Sequence, residues 1–292
     1  MSILVLLLVT GLGLGALYFL VASGLSLIYG LMGVLNFAHG VFLSLGAFIG
    51  WEVARRLDPS SWTGFLLAMV VGALAGATLA ALTELLLIRP LYNRHIEQVL
   101  VTVGLGLVGV ALFEGVWGTD AAFISGPPWL KQTTSIAGAR ISNTNFLAIA
   151  VAVAVLVALI LFLRHTRYGL IIRAGVENRS MVTALGIDVR KSFTLVFSIG
   201  GAAAGLGGVL ASQYFGYVSA HLGQTLLIFA FIVTVIGGLG SLGGAAVAAV
   251  VVAIPQQLAN YYLGGIGDLI AVLALAVVLL IRPTGLMGAK AA

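Results

Sequence analysis

Residues Ile3–Ile28 read ILVLLLVTGLGLGALYFLVASGLSLI, without a single charged side chain. A helix needs roughly 20 apolar residues to cross the hydrocarbon layer of a bilayer, so this run predicts a transmembrane span. The rest of the chain repeats the pattern. Apolar stretches recur at Val41–Val53, Trp62–Ile88, Val99–Val116, Phe146–Leu163, Phe193–Ser212, Leu226–Ile236, Ala245–Leu258 and Leu269–Ile281. In lipid each must bond its peptide groups internally, which makes them helices. They predict an all-α integral membrane protein, a polytopic bundle of about eight to nine transmembrane helices in a single transmembrane domain over residues 1–292. Val41–Val53 is short, and Tyr29–Gly40 before it mixes small and polar residues. A broken or half-length element is therefore expected near residues 29–53, starting inside the membrane.

Composition agrees. The chain is 61% hydrophobic and 8% charged, too little charge to coat a water-facing surface. Its 39 glycines suit a bilayer, where small residues let helices approach closely. There is no cysteine, which excludes disulfides, thiolate chemistry and Cys-ligated metals. The four histidines show no ligand spacing, so neither metal nor other cofactor is expected. No basic residue precedes the first apolar run, which reads as a span rather than a cleavable signal peptide. The net charge of +5 would suggest nucleic acid in a soluble chain. Here the basic residues fall in short loops, where they set orientation, so the partner is the lipid bilayer and no nucleic acid.

Arg164, Arg167, Arg173, Arg179, Arg190 and Lys191 lie in one loop, at about 164–191. Arg89 and Arg94 lie in another, and Arg282 and Lys290 follow the last span. With nine crossings these regions share one side, which the positive-inside rule makes cytoplasmic together with the C-terminus. The N-terminus and a polar loop at about 118–145, carrying Pro127-Pro128, are then external. Arg55 and Arg56 go against the rule, with Glu52 one turn earlier as a partner for either. No charge reads as central in a span. Glu84 falls near the inner end of its span, close to Arg89, and Pro255 interrupts another, where it should kink the helix.

Four motifs carry the functional reading. Asn36-Phe37-Ala38-His39-Gly40 places polar groups where lipid would penalise them. It reads either as an unwound interior segment beside a translocation path, with Asn36, Phe37, His39 and Gly40 as candidates, or as a surface turn with Asn36 capping the next helix. The loop holding Arg173-Ala174, Glu177-Asn178, Met181 and Leu185-Gly186-Ile187 reads as a short helix, turn and return that docks a soluble partner, or as an ordinary charged loop. Gly237-Gly238-Leu239-Gly240-Ser241 has no Lys after it, and no Gly-Lys pair occurs in the chain. It is thus no phosphate loop but a tight helix–helix turn. Gln256, Gln257 and Asn260, after Pro255, read as substrate-binding amides or as an interfacial cap with Tyr261 and Tyr262.

Together these motifs resemble the permease family of branched-chain amino acid ABC transporters, over nearly the whole chain and in family order. Asn36–Gly40 with Gly46-Ala47 is similar to the family's first signature, and the Arg173–Ile187 residues to its ATPase-coupling loop. Gly237-Gly238, Gly240-Ser241 and Gly244-Ala245 are similar to its Gly-rich turn, and Arg282-Pro283, Gly285-Leu286 and Gly288 to its C-terminal signature. Val182 departs from the Ala usual after the Met. The resemblance implies a non-enzymatic subunit of the bacterial inner membrane. Two ATP-binding cassette subunits, a second homologous permease and a periplasmic substrate-binding protein would be its partners, and branched-chain or related hydrophobic amino acids its cargo. Two other readings of the same residues are a passive channel for a small neutral solute such as urea and an ABC permease for urea or amides. A membrane-embedded enzyme would need a constellation of catalytic residues, and none stands out.

Overall fold

The computed structural model describes residues 2–33, 35–58, 60–92, 94–186 and 189–288, without the side chains of 176–180 and 189. In chain order the helices are α1 (Ser2–Met32), α2 (His39–Arg56), α3 (Trp62–Thr83), α4 (His95–Trp117), α5 (Pro128–Lys131), α6 (Asn143–His165), α7 (Arg167–Ala184), α8 (Val189–Phe215), α9 (Leu222–Gly237), α10 (Leu242–Tyr262) and α11 (Gly267–Ile281). Helix α3 continues through a π turn, Glu84–Ile88, and a 3₁₀ turn, Arg89–Leu91. Among the described residues, six elements are long and apolar enough to cross a membrane: α1, α3 with its extension, α4, α6, α8 and α10. Helices α9 and α11 are shorter apolar helices. Large apolar side chains such as Leu100, Leu107 and Leu280 point outward, as a lipid-facing surface requires.

The loop read as external contains short strands. β1 (Ala122–Phe123) pairs with β4 (Tyr217–Val218), and β2 (Thr133–Ile136) with β3 (Ala139–Ser142). The β2–β3 hairpin turns at Ala137 (φ 51°) and Gly138 (φ 79°), two left-handed residues as a tight primed turn needs. Apolar periodicity is silent about pairs this short.

The bundle is knit by helices that meet backbone to backbone. The contact of α3 with α8 is the most extensive, followed by α2 with α3, α1 with α10 and α2 with α8. Gly46, Gly72, Gly76, Gly201, Gly205 and Gly208 sit where α2, α3 and α8 cross. Without a hydrophobic force between helices in lipid, such contact is what holds them.

Two ends can be distinguished. At one lie α7, the end of α1 (Leu31 against Gly175), the α9–α10 turn (Gly240 against Gly30) and the end of α3 (Glu84 against Thr194). At the other lie the hairpin, with Trp129 and Trp62 rings 5.9 Å apart, and the β1–β4 pair.

Several expectations change in detail. Helix α2 starts and ends beyond Val41–Val53, giving 18 residues, or about 27 Å. Most of the 164–191 loop is the 18-residue helix α7, longer than the short helix expected. Helix α10 runs through Pro255 to Tyr262. Glu52 pairs with both Arg55 (2.7 Å) and Arg56 (2.8 Å).

Candidate functional site

The chain breaks between α1 and α2 in the protein interior. Asn36 is 1% exposed, and Ala38 and His39 are fully buried. The segment turns back beside its own preceding helix: His39 Nε2 lies 3.2 Å from the Val21 carbonyl oxygen, eleven residues before Met32, or about 16 Å along α1. Helix α2 thus starts well inside the bundle, as the interior reading of Asn36–Gly40 expected and a surface turn would not. Its cap position is Ala38, with no side-chain cap, so Asn36 is no N-cap. Asn36 Oδ1 instead accepts from the Ala38 amide at 3.1 Å, and the Phe37 amide donates to Thr102 Oγ1 at 3.3 Å. Gly40 packs on the backbone of Gly223 at the start of α9, where a Cβ would meet the Gly223 carbonyl oxygen at 2.6 Å. Ser44 completes the junction, donating to the Ala220 carbonyl (3.1 Å) and accepting from the Gly223 amide (3.0 Å).

The break leaves polar atoms over. Asn36 Nδ2 and His39 Nδ1 are buried with no hydrogen-bond partner among the described residues. Buried polar groups are nearly always paired; among the described residues Ser26 Oγ, Gln98 Oε1, Asn145 Oδ1 and Ser192 Oγ share this condition, and the break brings two such atoms into one short segment. Asn36 and Phe37 line a cleft of about 180 Å³ against Gln224, Leu227, Ile228 and Phe231 of α9. Sequence reading missed α9's contribution because it started that span at Leu226, leaving Gln224 outside it. The available signal was a lone amide beside an apolar run.

Helix α7 caps one end of the bundle. Thr166 starts it, accepting from the Gly169 amide at 3.0 Å. Ile172, Gly175 and Val182 face inward, a stripe at helical spacing. The departure at Val182 therefore lies on the packed face. Arg173, Met181 and Leu185 are exposed, Ala174 is half-buried, and Gly186 follows the helix at φ 79°. The side chains of Glu177 and Asn178, and all of Ile187, lie outside the described residues.

The Gly-rich turn and the C-terminal motif, separate in sequence, meet in space. Gly237 ends α9, Gly238 and Gly240 take φ 99° and 84°, and Ser241 caps α10 by accepting from Gly244 N at 3.0 Å. The amides of Leu286 and Met287 donate to the carbonyls of Ile236 (2.7 Å) and Gly237 (3.0 Å). Gly285 sits on Gly238, where a Cβ would lie 2.6 Å from its backbone nitrogen.

Glu84, read from sequence as near Arg89 only, is fully buried. Its carboxylate accepts from Tyr92 and from Thr194 Oγ1 (2.6 Å) and lies 3.5 Å from Arg89 Nε. The π turn starts at this residue, and the cluster ties α3 to α8 beside α7. Burial and the adjoining carboxylate push the Tyr92 phenol up. Glu84→Leu removes the carboxylate to which Tyr92 and Thr194 Oγ1 donate and which faces Arg89, at about 0.5–1.5 kcal/mol for each hydrogen bond lost. A lowered thermal midpoint of the purified chain is the expected outcome, and Glu84→Gln, which keeps an acceptor, should lower it less.

A family model described as branched-chain amino acid transport system / permease component matches residues 7–282. The chain is 28% identical to the high-affinity branched-chain amino acid transport system permease protein LivH of Salmonella typhimurium, over 95% of this chain and 93% of that protein. It is 29% identical to the corresponding BraD protein of Pseudomonas aeruginosa, over 96% and 94%. A fructose import permease protein, FruF of Bifidobacterium longum, is also similar, 29% identical over 86% of this chain and 69% of that protein. A polytopic helical bundle matched along nearly its whole length by that model belongs to the branched-chain amino acid transport permease family, as a membrane-spanning, non-catalytic subunit of an ABC transporter.

Proposed function

We propose that this chain imports branched-chain or related hydrophobic amino acids across the bacterial inner membrane, along the cleft between the α1–α2 break and α9. The observation that carries the reading is the lining of that cleft. Leu25, Leu35, Phe37, Leu227, Ile228 and Phe231 supply apolar surface, and Asn36 and Gln224 are its two amides. A sugar presents a hydroxyl on nearly every carbon, and each needs a partner when it leaves water. A hydrophobic amino acid needs polar partners at one end only. Asn36 Nδ2, an unpaired buried donor, suits its carboxylate, and broken helices place such groups beside substrates in other transporters.

The exposed face of α7 is the docking element for two ATP-binding cassette subunits, with a second homologous permease completing the pore and a periplasmic binding protein delivering cargo. Arg89, Arg94, Arg164, Arg167, Arg173, Arg190 and Lys191 cluster towards the α7 end, which supports a cytoplasmic α7 and C-terminus and an external N-terminus. The test is uptake by proteoliposomes holding the assembled transporter. Leucine should enter only with ATP, and fructose should neither enter nor compete. Leu185→Asp, at a position 71% exposed, should cut ATP-driven uptake about tenfold or more, as loss of an apolar interface anchor does. Uptake of fructose in place of leucine, or flux through this chain without the ATPases, would refute the reading.

A further inference from the structure

A second cavity, at the end of the bundle away from α7, has different chemistry. Tyr18 Oη donates to Gln256 Oε1 at 3.0 Å, and Gln256 Nε2 donates to Asp268 Oδ1 at 2.9 Å. Tyr18 and Gln256 are each 2% exposed, so this relay through α1, α10 and α11 fixes the Asp268 carboxylate from the buried side. The carboxylate stands at a cavity of about 240 Å³ whose wall includes Tyr18, Tyr214, Tyr217 and Phe229. The Tyr18 and Phe229 rings stack with centroids 4.9 Å apart. Among the described residues no lysine, arginine or histidine lines the cavity, and Asp268 is in no ion pair.

A carboxylate in the first turn of α11 gains from the helix dipole, which alone would account for an acidic residue there. It does not account for a buried glutamine committed to orienting that carboxylate, or for the aromatic wall around it. A carboxylate beside aromatic faces, without a cation of its own, attracts an ammonium group.

We propose that this cavity binds the primary ammonium group of a small apolar molecule. Resting on the function proposed above, that molecule is the amino acid on its way in, held first by its ammonium end. The geometry of α9 fits such a sequence. Leu222, Thr225, Leu226 and Phe229 face this cavity, while Gln224, Leu227, Ile228 and Phe231 line the cleft at the break. The two sites therefore occupy two faces of one helix, with Asp268 for the ammonium in one and Asn36 for the carboxylate in the other.

The test is equilibrium binding to the purified full-length chain in lipid nanodiscs. The probes are 3-methylbutylamine, the isosteric 3-methylbutanol and 4-methylpentanoate. The amine should bind at least about tenfold more tightly than the alcohol, and the acid should not compete with it. Asp268→Asn should abolish the preference for the amine, and Asp268→Glu should keep part of it. Equal binding of amine and alcohol by the unmutated chain, a comparison that needs no variant to fold, overturns the proposal. An amine preference unchanged in Asp268→Asn overturns it as well. If the amine preference holds while the assembled transporter fails to take up leucine, the ammonium site stands and the transport reading falls.

Discussion

Gly46→Leu is expected to prevent assembly of the bundle, with little monodisperse protein recovered from membranes. Gly46 lies on α2 where it crosses α3 and α8. A Cβ there would lie 2.8 Å from the carbonyl carbon of Gly205, and one on Gly72 would lie 2.8 Å from the carbonyl oxygen of Gly46. The neighbours are backbone, which cannot rotate aside as a side chain would. Relief requires α2 to separate from α8, forfeiting the dispersion contacts that replace the hydrophobic force between helices in lipid. Overpacking a core typically costs about 1–3 kcal/mol and sometimes more. A full leucine against the Gly205 backbone belongs at or above the upper end. Gly104→Leu is the control, because a Cβ on Gly104 meets nothing within 4 Å. Size-exclusion profiles and thermal midpoints of the two variants should diverge sharply. Equal behaviour would mean that these glycines do not set the helix spacing.

Replacing Asn36 and His39 together by leucine is expected to cut ATP-driven leucine uptake by at least about tenfold, or 1.4 kcal/mol, in a transporter that still assembles. Asn36 does two things: Oδ1 holds the Ala38 amide at 3.1 Å, and Nδ2 is unpaired. Asn36→Asp separates them. It keeps an acceptor for Ala38 but exchanges the donor for a negative charge, which repels a carboxylate. Uptake should fall in Asn36→Asp although the turn is still held. Unchanged uptake in the double leucine variant, with normal assembly, would remove the break from the path.

The membrane bundle was readable because apolar runs such as Ile3–Ile28 admit one solution in lipid. The interior break at Asn36–Gly40 was readable for the same reason, since its polar groups are costly against hydrocarbon. Element ends were less so. Helix α2 starts at His39 rather than Val41, and His39 there meets the Val21 carbonyl of α1, a long-range contact that hydropathy does not register. The sequence also hid the lid that the C-terminal residues place on the Gly237–Ser241 turn, since backbone bonds from Leu286 and Met287 leave no side-chain signature. Glu84 was legible as a neighbour of Arg89, but its partner Thr194 lies 110 residues away. Gln256 stood out by residue type, whereas its ligation of Asp268 depends on how α10 and α11 pack.

Substrate passing the cleft between the α1–α2 break and α9 would protect a thiol placed on its wall, and the chain has no cysteine of its own to interfere. Gln224→Cys introduces one thiol on the wall of that cleft, and Val153→Cys one on the outer surface of α6, at a position 53% exposed. In the assembled transporter, a charged, water-soluble methanethiosulfonate reagent should modify Cys at 224 and not at 153, and leucine should slow the reaction at 224 where fructose does not. A thiol at 224 that stays unreactive, or reacts at the same rate with and without leucine, would place the substrate path elsewhere.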